Sequence, residues 1–469
     1  LKKIILVWEK WFLSTVIYFG LLCSRRITKR GLIYYTYILQ VVVKDKAYKK
    51  ALKEAREKIK NGIIWADEVL MVLQKVNKKY FRLISNLIVN EIIWGINKRK
   101  AFEQQTGFYP PTFITISPTM RCNLNCVGCY ANSYQKADLE AEIVEKVIRE
   151  ANEMGIYLFV ISGGEPFLYS PLINIAKKHK NSIFHVFTNG SLLHPNRLLT
   201  RNGVLKEPKD LLLESGNIIP LFSIEGFEEE TDNRRGKGTY RKITETMEYL
   251  NLNGIPFGFS FTHTRLNNHI FYSDRFIEEM IKRGAYLGWI FQYMPIDEDP
   301  NLELIPTPQQ REKRYEVIRR WRTQYPIQVW DFWNDGGLVG GCIAASRYLH
   351  VNSNGDVEPC VFVHFKQEGY NVKEKSLIEI LNSPLFKVIR SKQPYQDSDE
   401  KTPNLLRPCL IIDHPDLLRK IVNETKAVPT CVPSILEKEV EEIVDKYAQE
   451  WKERSAEIWQ KDYSDYSKV

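Results

Sequence analysis

From residue 111 onward the apolar positions alternate between two rhythms. Short β-branched and aromatic runs recur as "TFITIS" (112–117), "YLFVIS" (157–162), "IFHVFT" (183–188), "IPLFSI" (219–224), "PFGFSF" (256–261) and "LGWIFQYM" (287–294). The stretches between them keep helical spacing, and "DLEAEIVEKVIREANEMG" (138–155) reads as an amphipathic helix stopped by Gly155. Six strands separated by helices predict an α/β fold on a parallel sheet, open or curled into a partial (β/α)6 barrel. In such barrels functional residues gather at the C-terminal strand ends. The polar residues of this chain fall there, in "SGGEP" (162–166), "TNG" (188–190), "SIEG" (223–226) and "QYMP" (292–295). Upstream, residues 1–110 read as a helical module that stops at "YPP" (109–111). The division that follows is 1–110, a barrel over 111–300, a further domain over 301–433, and a C-terminal amphipathic helix and tail over 434–469.

Charge changes the picture of the first module. The chain carries a net +9, and residues 1–110 hold 22 Lys/Arg against 8 Asp/Glu. A basic module on a near-neutral body faces something anionic. The apolar pattern favours a membrane surface over nucleic acid, because "WFLSTVIYFGLLC" (11–23) and "GLIYYTYILQVVV" (31–43) are uncharged and flank "SRRITKR". As helices these runs span about 20 Å, short of a hydrocarbon core of roughly 30 Å, so an interfacial seat suits them better than a crossing. Glu9 and Lys10 interrupt the apolar stretch behind Lys2 and Lys3, which argues against a cleaved signal peptide. A helical hairpin packed on the body is the alternative.

Candidate chemistry begins in "RCNLNCVGCYA" (121–131), where Cys122, Cys126 and Cys129 stand at C-x3-C-x2-C. Three is odd, so a disulfide scheme leaves a thiol over. Structural zinc wants four ligands, and no His or Cys follows within the next forty residues. Three thiolates suit a cubane iron–sulfur cluster whose fourth iron stays open to a small molecule, with zinc as the rival. Clustered thiols in a long chain also point to a reducing compartment.

The cysteine loop, "GGEP" at the second strand end, and "SIEG" with "RRGKGTY" after the fourth strand resemble the radical S-adenosylmethionine superfamily over roughly residues 110–300. The resemblance implies that Cys122, Cys126 and Cys129 hold a [4Fe–4S] cluster whose open iron chelates S-adenosylmethionine. It implies that Gly163 and Gly164 permit close backbone approach, and that Glu165 and Pro166 shape the edge that meets the methionine amino group. Thr188, Asn189, Ser223 and Glu225 are then expected at the ribose, and Arg234 or Arg235 at the carboxylate. One departure stands out. The superfamily often has an aromatic residue just before the third cysteine, against the adenine; here it is Gly128, followed by Cys129 and Tyr130.

A second set follows. Cys342, Gly355 and Cys360 obey C-x12-G-x4-C, and "VNSNGDVEPC" reads as a hairpin around Asn-Gly. This looks like the auxiliary-cluster extension of SPASM and twitch enzymes, with Cys409 and Cys431 completing four ligands for one more [4Fe–4S] cluster. A core thiol at Cys409 or Cys431 is the alternative. Cys23 ends an apolar run and reads as a small hydrophobe. His263, at a strand end near the mouth, reads first as a satisfied loop histidine.

The resemblance implies reductive cleavage of S-adenosylmethionine to a 5′-deoxyadenosyl radical, fed by a low-potential donor such as ferredoxin or flavodoxin. Such a radical serves an unactivated C–H bond, which offers no acidic proton. With the front module on an anionic membrane, the first expectation is a lipid-chain substrate and a cytoplasmic protein peripheral on the inner face of the cell membrane. The alternative is a ribosomally made peptide or a protein side chain, whose maturases often begin with a winged-helix module that grips a leader as an added strand. Residues 1–110 lack that hairpin signal. A non-catalytic electron carrier or sensor would leave "GGEP" without purpose.

Overall fold

The computed structural model describes residues 28–42, 46–61, 70, 73–87, 90, 95–201, 204–296, 299–397, 400, 402–432 and 436–463. Its strands are β1 (Phe113–Ile116), β2 (Leu158–Ile161), β3 (Ile183–Thr188), β4 (Leu199–Arg201), β5 (Val204–Lys206), β6 (Ile218–Ser223), β7 (Gly258–His263), β8 (Leu287–Gln292), β9 (Gln328–Asp331), β10 (His350–Val351), β11 (Val357–Glu358), β12 (Phe365–Lys366) and β13 (Val428–Pro429). One nine-stranded sheet runs in the order β11-β10-β1-β2-β3-β6-β7-β8-β9. Every pairing from β10 through β1 to β9 is parallel, and only β11 turns back. The strands are near-continuous apolar runs because both faces are covered: Ile114, Ile116, Phe159, Val186 and Leu221 are buried on the sheet, and amphipathic helices such as Ala141–Met154 lie outside it. Gly155, at φ +88°, ends that helix as the pattern predicts.

The barrel does not stop at residue 300. The helix Pro308–Gln324 returns the chain to β9, which pairs with β8 from Leu287↔Gln328 to Ile290↔Asp331. At the opposite edge the hairpin predicted around Asn354-Gly355 forms β10 and β11, and β10 adds to β1 in register Thr115↔His350. The 111–300 and 301–433 division therefore cuts through one sheet.

The described part of the front module closes the strand-start end of the barrel. Tyr80 and Phe81 of the helix Lys78–Leu87 are fully buried, and the Tyr80 hydroxyl donates to Ile218 O at 3.0 Å. An apolar cavity under the strands is lined by Val76, Tyr80, Leu83, Ile183 and His185. The helix Ile96–Thr106 is fastened at the same end, through Arg99 Nη1 to Gly155 O at 2.7 Å. The helices Lys29–Val42 and Lys46–Lys60 pack together, with Arg56 4.1 Å over the Tyr37 ring. Leu32, Tyr35 and Leu39 lean on the core while Tyr34, Tyr37 and Val41 are exposed. The first apolar run and Cys23 lie outside the described residues. No helix among the described residues is long and apolar enough to cross a membrane.

The C-terminal helix Lys438–Asp462 buries Val440, Val444, Tyr447 and Trp451. Arg311 ties it down, stacked 4.2 Å over Trp451 and paired in the interior with Asp413 at 2.5 Å.

Candidate active site at the mouth of the barrel

The cysteine loop leaves the C-terminal end of β1, with the "GGEP" turn beside it at the end of β2. The two glycines pack against the loop's own backbone. A Cβ on Gly163 would stand 2.2 Å from Thr119 O, and one on Gly164 the same distance from Arg121 O. The chains hydrogen-bond there, Gly164 N to Thr119 O at 2.9 Å and Glu165 N to Arg121 O at 2.8 Å. Only glycine allows this approach, and at Gly163 a φ of +109° adds to the demand.

Cys122, Cys126 and Cys129 all line one cavity, together with Gly128, Gly163, Gly164, Thr188, Asn189, Ser223, Arg234 and Arg235. Glu165, Pro166 and Glu225 are not part of its wall. Glu165 is buried behind it, accepting from Thr188 Oγ1 at 2.9 Å, Asn189 N at 2.8 Å and Phe167 N at 3.1 Å, so it braces the "TNG" turn. Burial pushes its carboxyl up to about 7, against the pull of these donors. Glu225 is equally buried and accepts from Arg234 Nη1 at 2.6 Å, Arg235 Nε at 2.8 Å and Thr262 N at 3.1 Å. Burial alone would raise it, but Arg234 and Arg235 hold it below the ordinary carboxylate value. Each of these two acids thus fixes residues that face the cavity, Thr188 and Asn189 for Glu165 and the two arginines for Glu225.

The donor set around the thiols fits an iron–sulfur cluster. Leu124 N lies 3.5 Å and Asn189 Nδ2 3.9 Å from Cys122 Sγ, while Arg235 Nη1 is 4.0 Å from Cys126 Sγ. N–H groups and a cation around sulfur favour thiolates. Burial pushes the Cys122 and Cys126 thiols up, so binding iron must displace their protons.

Gly128 is explained by a residue from across the mouth. It sits at φ +63°, and a Cβ there would be 2.5 Å from the ring of Tyr293, just past the end of β8. Tyr293 itself lines the cavity. An aromatic ring thus lies against the cysteine loop from the "QYMP" strand end, a contact the linear motif could not disclose.

Deeper in, the lining changes character. Phe113, Phe187, Trp289, Phe291, Phe332 and Phe362 face the cavity and pack on each other, Phe187 edge-on to Trp289 at 5.6 Å and Trp289 stacked on Phe332 at 5.5 Å. Among the described residues, the only charged side chains on the cavity wall besides the thiols are Arg234 and Arg235, both committed to Glu225. His263 lies off this wall. It is fully buried between Arg314 Nη1 at 2.8 Å and Asn268 Oδ1 at 3.0 Å, a satisfied histidine held well below its usual pKa by burial and by Arg314.

Of the second set, Cys342 is close enough to Cys360 and to Cys409 to act electrostatically on each. Cys431, the fourth cysteine of the expected set, lies elsewhere on the fold. β13 pairs with β12 (Phe365↔Pro429), and this returns the chain to the flank of the first cysteine loop. There the Cys431 thiol meets His364 Nδ1 at 2.9 Å and shares a small apolar cluster with Met120, Ala131 and Tyr134.

Comparison with known proteins follows the same division. Residues 116–282 match the radical SAM superfamily, and residues 342–410 match the SPASM iron–sulfur cluster-binding domain. The AdoMet-dependent heme synthase of Methanosarcina barkeri is 25% identical over 321 residues, 60% of this chain and 86% of the relative. The antilisterial bacteriocin subtilosin biosynthesis protein AlbA of Bacillus subtilis is 27% identical over 332 residues, 66% of this chain and 69% of the relative. Streptococcus suis SuiB bound to S-adenosylmethionine shares the fold at TM-score 0.53 and 18% identity, covering 74% of this chain and 87% of SuiB. The cofactors that go with these domains are S-adenosylmethionine, the radical SAM [4Fe–4S] cluster and an auxiliary [4Fe–4S] cluster. The chain belongs to the radical S-adenosylmethionine superfamily, in the branch that carries a SPASM domain.

Proposed function

We propose that this protein modifies a side chain of a ribosomally made peptide or of a protein, by hydrogen abstraction from an unactivated C–H bond. Cys122, Cys126 and Cys129 hold the first cluster, and Cys342, Cys360 and Cys409 the auxiliary one. The first cluster, when bound and reduced by a donor such as ferredoxin or flavodoxin, supplies the electron that cleaves S-adenosylmethionine. The chain's own part is placement. Asn189, Ser223 and the Glu225-braced Arg234 and Arg235 present polar groups beside the thiols, Tyr293 offers an aromatic face, and the inner wall excludes water from a carbon radical.

The observation that carries the peptide reading is the similarity to the subtilosin biosynthesis protein across about two thirds of both chains. The uncharged aromatic inner wall agrees with it. A tetrapyrrole, the substrate class suggested by the heme synthase relative, would need cations for its carboxylates, and among the described residues this wall offers only Arg234 and Arg235, both beside the first cysteine loop and sharing Glu225. The lipid reading has no comparable support. It rests on residues 1–45, of which 1–27 and 43–45 lie outside the described residues, and the part of the front module that is seen on the barrel, the helix Lys78–Leu87, closes the end opposite the mouth.

The test uses reconstituted full-length protein, a chemical reductant and S-adenosylmethionine. A peptide library carrying perdeuterated Phe, Leu or Val is compared with deuterated-chain phospholipid vesicles and a carboxylated tetrapyrrole. Deuterium should enter 5′-deoxyadenosine from peptide alone. Transfer only from the lipid or only from the tetrapyrrole would sink the proposal.

A further inference from the structure

Two tyrosines close the thiol group of the auxiliary domain. The Tyr348 hydroxyl lies against Cys360 Sγ, and the Tyr395 hydroxyl is in hydrogen-bond contact with the Cys342 thiol. Both residues are buried, at 2% and 3% exposure, so neither hydroxyl can turn to water instead. The other donors to these sulfurs include the backbone amides Ala344 N at 3.4 Å from Cys342 and Phe362 N at 3.5 Å from Cys360, and the Gln393 side chain at Cys342. Tyr348 has a second face. Its ring lines the barrel cavity, stacked on Phe113 at 5.1 Å and edge-on to Phe332 at 5.8 Å. One side chain thus stands between the place where the substrate reacts and a thiol of the auxiliary set.

A phenol can only donate to a thiolate. Such a bond favours the more negative state of a cluster, because the added electron increases charge on the sulfurs, and hydrogen bonds to sulfur are among the levers that set cluster potentials. We propose that Tyr348 and Tyr395 are positioning residues for the auxiliary cluster. They donate to the thiolates of Cys360 and Cys342 and so raise its reduction potential, Tyr348 from the wall of the substrate cavity itself. One electron enters the cluster on reduction and no proton leaves the phenols. The inference rests on Cys342, Cys360 and Cys409 holding that cluster, as proposed above.

The experiment isolates the auxiliary cluster by working in a full-length chain with Cys122, Cys126 and Cys129 changed to Ala. Iron content, circular dichroism and an EPR-monitored redox titration are compared for this parent, Tyr348→Phe, Tyr395→Phe and the double variant. Each single change should leave about four irons, the content of one cubane. Each should lower the ratio of reduced to oxidised cluster at a fixed solution potential about tenfold, which for a one-electron couple is about 59 mV. Replacing Tyr348 with a fluorinated tyrosine, a stronger donor, should shift the ratio the other way. An unchanged potential in the double variant overturns the proposal. Loss of iron from the Tyr→Phe variants does so too, since it would make the phenols ligands or wall rather than donors. Retention of four irons in Cys360→Ala would instead show that the ligand assignment underneath is wrong.

Discussion

Gly128 and Tyr293 show how a missing side chain can be a signal. The loop has a glycine where a ring from just past the end of β8 lies against the backbone, and the φ of +63° leaves little room for anything but glycine. Gly128→Ala must push the Tyr293 ring aside. It should weaken S-adenosylmethionine binding about tenfold, roughly 1.4 kcal/mol, by equilibrium dialysis. Tyr293→Leu should show a similar loss, and Tyr293→Phe nearly none; full affinity in Tyr293→Leu would remove the ring from the site. A different logic applies to His185 at the strand-start end. Burial alone lowers its pKa to about 4, and its Nδ1 has no hydrogen-bond partner among the described residues. The folded state refuses a proton that the unfolded chain accepts at an ordinary histidine value, so stability is intact above about 6.5 and is lost as pH falls towards 4. An interval of about 2.5 pH units corresponds to a loss on the order of 3 kcal/mol. Urea midpoints at pH 7 and pH 4.5 should reveal it, and His185→Leu should flatten that part of the difference.

Strands β1 to β8 were legible because each is an apolar run long enough to stand out, with β4 and β5 the exceptions, and their polar ends were legible because the motifs are local. β9 escaped notice as four residues, "QVWD", behind a long charged helix whose buried Arg311 and Arg314 look like surface residues in sequence. The ribbon of β4 and β5 was also missed, although the Asn202-Gly203 pair between two short apolar runs was the signal that could have found it. Cys431 is a separate case. Four cysteines in a row satisfy a cubane by count, but whether the last reaches the nest depends on which way β13 docks. It docks on β12, and the thiol ends beside His364. Cys409→Ala should therefore remove about half of the roughly eight irons expected for two cubanes, while Cys431→Ala should keep them all. Iron and visible spectra of the two variants decide the point; equal losses would restore the four-cysteine set.

Because the sheet takes strands from beyond residue 300 at both of its edges, the barrel and the auxiliary domain share one body. β10 covers the outer edge of β1 and β9 that of β8, while a buried polar seam crosses the same junction: Ser117 Oγ meets His350 Nε2 at 2.7 Å, and His350 Nδ1 meets Glu358 at 2.5 Å. Tyr134, next to the first cysteine loop, donates to the same Glu358 at 2.8 Å. A chain restricted to residues 111–300 would leave two parallel edges of the sheet open, each a template for pairing with another chain. It would also strip Tyr80 and Phe81 from the strand-start end, and an enclosed aromatic side chain of that size hides about 150–250 Å². That fragment should aggregate on expression, whereas the full chain should unfold in one step. The measurement is a urea titration of the reconstituted protein under argon, following far-ultraviolet ellipticity together with the visible absorption of a variant that holds only the auxiliary cluster. Coincident midpoints are expected, since losing the auxiliary domain exposes the β1 edge and the barrel goes with it. Two separated transitions, with the cluster lost well before the helices and sheet, would mean that the auxiliary domain folds by itself and that the shared strand pairing contributes little.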